Sequence, residues 1–197
     1  MTTGGTIQDW QPGARTEQEL IRAAMDGDAT AYSDLAEVRV NRMFAVARLI
    51  LRDDAAADDA IQDALVVAWR DLSALRDPDR LDAWLHRVLV HTCYRASQRA
   101  RRRIEVEGQI HPINEPRDPS DDSVLKDETE RGFARLSVEH RTVLVLHHYL
   151  GYTVPEISTI LGIPVGRAKS RIHRATAAMR EALTSDPSPS VHRGQVA

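Results

Sequence analysis

Gly162 and Pro164 stand two residues apart between two stretches of helical periodicity, and this corner constrains the fold more than any other part of the chain. The surrounding segment, residues 153–180, reads TVPEISTILGIPVGRAKSRIHRATAAMR. Thr153 followed by Glu156 is a capping box, a pairing that satisfies N–H groups left open at a helix start. Ile157, Ile160 and Leu161 then form an apolar stripe at spacings of three and four. Glycine can adopt the left-handed C-cap that ends a helix, and proline pre-sets the backbone for the first turn of the next. The connection is therefore only a few residues long, which predicts a helix-turn-helix.

The second helix of this motif has two unlike faces. Ala168, Ile172, Ala175 and Met179 share an apolar side. At about 100° per residue, Gly166, Ser170, His173 and Arg174 lie opposite, flanked by Arg167, Lys169 and Arg171. A helix with an apolar back and a basic front, braced by a shorter helix, fits the DNA major groove. A solvated basic surface is the plainer alternative. However, residues 167–180 hold five Arg or Lys and no acid, whereas the whole chain carries −3. That local excess against the global balance favours phosphate binding. Ser170, His173 and Arg174 are expected to point furthest into the groove, with Lys169 beside them and Arg167 and Arg171 nearer the phosphate walls.

Only 5% of the residues are aromatic while 42% are hydrophobic, so the core must be built from Ala, Leu, Val and Ile, a composition that suits an all-helical protein. The single cysteine, Cys93, cannot form an internal disulfide, which fits a reducing compartment. Its helical surroundings predict a half-buried structural thiol. A lone cysteine offers no metal spacing, and no cofactor or metal site is expected. The N-terminus lacks a basic-then-apolar signal pattern, and no stretch approaches 18 uninterrupted apolar residues. A cytoplasmic protein without membrane insertion is the expectation.

The chain divides at an acidic, proline-containing stretch. Residues 104–130 contain nine acids, two bases and three prolines, a net of −7. Like charges and prolines resist packing, so residues 104–126 are expected to form a flexible linker that turns helical near Ser123. Before it, residues 1–15 read as a disordered tail containing Trp10, and residues 16–103 as a helical domain. Breaks near Gly27, Asp53 and Pro78 divide that domain into a short helix, two long ones and a fourth from about Asp79 to Arg102. After the linker, residues 127–184 form a compact domain with helices at about 124–136, 138–150, 154–161 and 165–183. Residues 185–197 form a polar tail. In the helix from about 55 to 75, Ile61, Leu65, Ala68 and Leu72 make the core stripe, and Asp59, Gln62 and Asp63 share another face. In the fourth helix Trp84, Leu85, Val88, Leu89 and Thr92 turn toward a core. That helix ends in five arginines within nine residues: Arg95, Arg99, Arg101, Arg102 and Arg103.

Together these segments resemble a known family. Residues 58–69, DDAIQDALVVAW, resemble the D-x-x-Q-E-x-F-x-x-A-W segment of region 2.2 in extracytoplasmic-function (ECF) sigma factors, of the sigma-70 family. Residues 84–103, WLHRVLVHTCYRASQRARRR, are similar to the W-L-x-R-I-A-x-N helix of region 2.4 with its basic end. Residues 136–183 are similar to region 4, including its I-P-V-G-T-V-K-S-R-x-x-R-A helix. The resemblance implies an all-α fold with a region 2 bundle and a region 4 helix-turn-helix on either side of the acidic linker. It implies that the chain binds core RNA polymerase and directs transcription initiation, without being an enzyme itself. Asp59, Gln62 and Asp63 would meet the β′ clamp helices through charge-assisted hydrogen bonds. His91, Arg95, Arg99, Arg101 and Arg102 would face the −10 element, beside a loop at Leu72–Arg80 that helps receive a flipped-out base. Region 4 would bind the β flap and the −35 element, with Lys169 at the bases. An anti-sigma factor is the further partner it implies.

The match has departures. His91 stands where an Asn is usual and Arg95 where an Asp is common, so base preference at the −10 element does not carry over. Arg167-Ala168 replaces Thr-Val, and Ala64-Leu65 stands where a bulky aromatic is frequent.

Two other classes of function compete. His140, His147 and His148, or the acids between Asp53 and Asp63, could suggest an enzyme, but no third ligand is suitably spaced and no catalytic motif is present. A conventional helix-turn-helix regulator binding an operator as a dimer is the alternative. Against it, a sensing domain needs neither an Arg-rich helix end nor an Asp-Gln-Asp face.

Overall fold

The computed structural model describes residues 15–107 and 124–184. Among these residues the chain is helical, with no strand. Helix α1 spans Glu17–Met25, α2 Ala29–Leu51, α3 Asp54–Asp71 and α4 Leu81–Glu107. The second half contains α5 at Val124–Ala134, α6 at Val138–Leu144, α7 at Val154–Leu161 and α8 at Val165–Thr184.

Each boundary has a chemical cause. The Glu19 N–H donates to Thr16 Oγ1 at 3.2 Å, and the Thr16 N–H donates to the Glu19 carboxylate at 2.7 Å, completing a capping box. Asp28 caps α2 by accepting from Thr30 and Ala31, and Asp53 caps α3 by accepting from Ala56. Arg52, between α2 and α3, takes φ +59 in the left-handed region, where only short polar residues and glycine are comfortable. Two short 3-10 turns, Leu72–Ala74 and Pro78–Arg80, carry the chain from α3 to α4.

One expected boundary differs. The helix predicted over residues 138–150 is α-helical only as far as Leu144 and widens into a π turn over Val145–Tyr149. The Leu150 N–H reaches back five residues to the Val145 carbonyl at 3.0 Å, and the Tyr152 N–H donates to the Leu146 carbonyl. The sequence is helical in pattern throughout, so the widening reflects tertiary packing rather than propensity.

The acidic joint falls mostly outside the described residues; α4 runs four residues into its expected span, to Glu107, and α5 begins at Val124. The expected N-terminal and C-terminal tails also lie outside, apart from Arg15, which pairs with Asp28 at 2.8 Å.

The two halves are not separate bundles. A smaller core gathers Ile21, Leu35, Leu72 and Leu85 around α1. The larger one runs without a break from α2, α3 and α4 into α6, α7 and α8. Val46, Ile50, Leu89 and Val90 of the first half share it with Val143, Leu146 and Ile157 of the second, all at most 1% exposed. Fully burying such a side chain contributes about 1.5–3 kcal/mol. Cys93 lies in this core at 0% exposure, deeper than the half-burial predicted, and burial pushes its thiol up to about 12.

Candidate nucleic-acid interface

Helix α8 is held by its small residues. Ala168 and Ala175 are fully buried, while Ile172 and Met179 are half-buried against the core. Their size permits close approach, and so does Gly132 on α5: a Cβ there would meet the Met179 Cε at 2.8 Å. Ahead of α8, Gly162 takes φ +64, as its C-cap role requires. Glu156 accepts from both the Thr153 N–H, at 2.7 Å, and the Thr153 hydroxyl, at 2.6 Å. Ser158 donates to the Ile163 carbonyl at 2.5 Å, fixing the corner between α7 and α8.

The outer face of α8 presents the expected groups. Arg167, Lys169, Ser170, His173 and Arg174 are exposed. No ion pair among the described residues engages any of them. Arg174 Nε donates to the Ser170 carbonyl at 3.3 Å, so its guanidinium starts from a position along its own helix. Arg171 is placed differently from the rest. It is half-buried, close to Tyr94 of α4 and Glu139 of α6, and acts electrostatically on both.

The basic end of α4 is exposed at His91, Arg95, Arg99, Arg101 and Arg102. Partial burial of the ring, with Arg87 and Arg95 nearby, lowers the His91 pKa and favours its neutral form. A neutral imidazole offers one donor and one acceptor, unlike the amide it replaces. The loop beside this helix has an apolar floor, Leu72 and Leu75, and an exposed rim that includes Ser73, Arg76 and Arg80. Within it Asp77 accepts from the Asp79 N–H at 3.1 Å and pairs with Arg80 at 3.3 Å.

On α3, Ile61 and Ala68 are buried and Leu65 is half-buried, which leaves Asp59, Gln62 and Asp63 exposed together. Asp63 pairs with Arg99 at 3.3 Å, so the acidic face of α3 adjoins the arginines of α4. Sequence reasoning missed the continuation of this face. Val66 is 67% exposed and Trp69 39% exposed, where Trp69 tilts against Tyr32 with ring centres 5.0 Å apart. The signal was available: Val66 lies four residues after Gln62 and off the Ile61–Leu65–Ala68 stripe. His140, His147 and His148 do not converge on a site. His147 Nδ1 lies 2.9 Å from the Tyr152 carbonyl oxygen, and its ring packs edge-on against His148.

These surfaces coincide with the segments that known proteins share with this chain. Residues 35–103 match the family description "Sigma-70 region 2", and residues 127–179 match "Sigma-70, region 4". The ECF RNA polymerase sigma factor SigM of Mycobacterium tuberculosis is 32% identical over 175 residues, covering 86% of this chain and 85% of that protein. Among solved structures, the sigma factor RpoE in complex with the anti-sigma factor NepR from Bartonella quintana is similar with a TM-score of 0.65. That match covers 79% of this chain and 98% of RpoE, at 24% identity. CnrH in complex with the cytosolic domain of CnrY is similar with a TM-score of 0.61, covering 87% of this chain and 99% of that one, at 25% identity.

Proposed function

The chain belongs to the ECF branch of the sigma-70 family of RNA polymerase sigma factors, and on that premise we propose a division of labour among its three polar faces. Asp59, Gln62 and Asp63 on α3 bind the β′ clamp helices of core polymerase. His91, Arg95, Arg99, Arg101 and Arg102 on α4 hold the −10 element, with the Leu72–Arg80 loop beside the unpaired strand. Arg167, Lys169, Ser170, His173 and Arg174 on α8 enter the major groove of the −35 element, and the second half also contacts the β flap. The protein performs no chemistry; it lends promoter specificity to an enzyme that does, and it works in the cytoplasm, where polymerase and DNA are. An anti-sigma factor covers these surfaces when transcription is not required. In the similar structures the sigma factor RpoE is bound to the anti-sigma factor NepR, and CnrH to the cytosolic domain of CnrY.

One observation carries this reading: the basic face of α8 and the basic end of α4 are exposed in a chain whose total charge is −3. Exposed cations clustered on an otherwise acidic protein are suited to phosphates. Mixing the protein with core polymerase and a fragmented genomic template, then sequencing the transcripts, tests it. Start sites that share −10 and −35 sequences are expected. Transcripts no different from those of core enzyme alone would overturn it.

A further inference from the structure

The loop from Leu72 to Arg80 is made of two short turns, and neither fixes the position of the other. The Leu75 N–H donates to the Leu72 carbonyl at 2.9 Å, closing the first turn. The Arg80 N–H donates to the Asp77 carbonyl at 3.0 Å, and the Asp79 N–H to Asp77 Oδ1 at 3.1 Å, closing the second. Among the described residues no hydrogen bond joins one turn to the other. The gap between them is therefore set by what they rest on.

Both turns rest on α1. Leu72 and Leu75, with Leu81 just past the loop, insert into the smaller core beside Ile21 and Ala24 of α1, and all five are at most 7% exposed. Polar ties add direction to this apolar seat. Gln18 Nε2, in the first turn of α1, donates to Asp79 Oδ1 in the second turn of the loop at 3.2 Å. Its neighbour Glu17 accepts from the Arg39 guanidinium, whose Nε donates to Asp82 Oδ1 at 2.7 Å. Asp82 is the second residue of α4. The Arg39 side chain is only 15% exposed, so this bridge is better shielded from water than an ordinary surface pair.

This is more polar contact than α1 needs to complete a core. A helix of nine residues is too short to stand alone, and burying Ile21 and Ala24 is what docks it. Its first turn is already closed by the Thr16–Glu19 capping box. Glu17 and Gln18 are thus free to reach outward, and they reach the loop and the start of α4. The segment matched as sigma-70 region 2 begins at residue 35, so α1 lies ahead of it.

On the reading that the loop lies beside the unpaired strand, we infer that α1 is its clamp. Gln18, and Glu17 through Arg39 and Asp82, hold the second turn and the start of α4 against the leucine-anchored first turn. The clamp so sets the width of the pocket that receives a base of the −10 element. Glu17, Gln18 and Arg39 are positioning residues, which act on promoter choice through the loop rather than by touching DNA. None of the clamp's ties involves α8 or the Asp59–Gln62–Asp63 face, so its effect falls on the −10 element alone.

Hydrogen exchange of the free full-length chain, followed by NMR, reads the clamp directly. Gln18→Glu places a like charge beside Asp79, and Arg39→Met keeps the stem and removes both ion pairs. Either should speed exchange of the Asp79 and Arg80 amides about three- to tenfold, the ratio expected for loss of one hydrogen bond, with the amides of α3 and α8 unchanged. Adding Asp79→Asn to Gln18→Glu makes amide and carboxylate change places and should return the wild-type rate. The Gln18→Glu and Arg39→Met chains, bound to core polymerase, are then offered forked −10 DNA carrying each of the four bases at each unpaired position. Preference for the favoured base at one position should fall by a similar factor, with core affinity and −35 preference as in the wild type. Arg39→Lys keeps the charge and should recover part of that preference. Unchanged exchange in both variants, or a loss of preference spread equally over both promoter elements, would overturn the clamp. A wild-type holoenzyme with no preference at any unpaired position would instead sink the reading of the loop, and the exchange rates would still judge the clamp.

Discussion

Asp63 and Arg99 form a 3.3 Å ion pair that joins α3 to α4, and each is proposed to serve a different working surface. Asp63 lies on the face assigned to polymerase and Arg99 on the one assigned to the −10 element. Both side chains are more than half exposed, so the pair adds little stability, typically under about 1 kcal/mol. It instead places the two surfaces side by side.

Asp63→Arg should leave the helical content intact and shift thermal stability only slightly. Affinity for core polymerase should fall by roughly 2–5 kcal/mol if the contact is buried there, through loss of an anion and addition of a like charge. Titration of labelled core enzyme, beside a circular-dichroism melt, separates the two effects. Unchanged core affinity would remove this face from the interface.

Arg174→Ala should relax preference at one or two −35 positions and lower affinity for the preferred sequence by about 1–3 kcal/mol. Arg167→Ala should weaken all sequences alike and reduce the salt slope of binding by about one. Binding to a library of −35 variants at several salt concentrations reads both. Arg171, half-buried near Tyr94 and Glu139, is expected to share the phosphate role of Arg167, and Arg171→Ala in the same library tests it.

Stability should fall on acidification. Burial pushes the His86 imidazolium down to about 4; Asp82 on α4 opposes this shift, and Arg42 and Arg39 on α2 reinforce it, while the Tyr152 hydroxyl faces the ring from the second half at 2.7 Å. An exposed histidine titrates near 6.5, so the unfolded chain binds a proton that the folded chain refuses. The contribution of a neutral His86 to stability is fully present above about pH 6.5 and is lost as pH falls toward 4, at most about 3 kcal/mol in all. The melting temperature, measured from pH 8 to pH 5, should drop below pH 6.5. A His86→Phe chain should lose that part of the dependence.

Gly132 and Gly166 should respond oppositely to alanine. A Cβ at Gly132 would meet the Met179 side chain at 2.8–2.9 Å, so Gly132→Ala should destabilise by about 1–2 kcal/mol unless Met179 shifts. A Cβ at Gly166 meets nothing within 4 Å, and alanine favours the helix by up to about 1 kcal/mol. Gly166→Ala should therefore raise the melting temperature by about 2–4 °C. Differential scanning calorimetry of both variants checks the pair.

Much of this protein follows from local patterns. The Thr16–Glu19 and Thr153–Glu156 pairs, the Gly162–Pro164 corner and the breaks near Gly27, Asp53 and Pro78 place the α-helices among the described residues to within a few residues, apart from α6, which stops at Leu144. Caps and turns act over three or four residues, so sequence alone fixes them. The basic front of α8 and the Asp59–Gln62–Asp63 face were legible for the same reason: helical periodicity sets which residues point together.

The sequence determined the helices, their ends and the charges they display. Only the tertiary structure decided which buried faces meet. Apolar periodicity marks Leu89 as a core position, but it cannot say that Val143, Leu146 and Ile157 share that core from beyond an acidic joint. It gives no sign that His86 would find Tyr152, that α6 would widen at Val145, or that Arg171 would turn toward Tyr94. Those outcomes depend on contacts between residues far apart in sequence. An apolar stripe specifies that a face is buried, and only packing against a particular neighbour specifies what buries it.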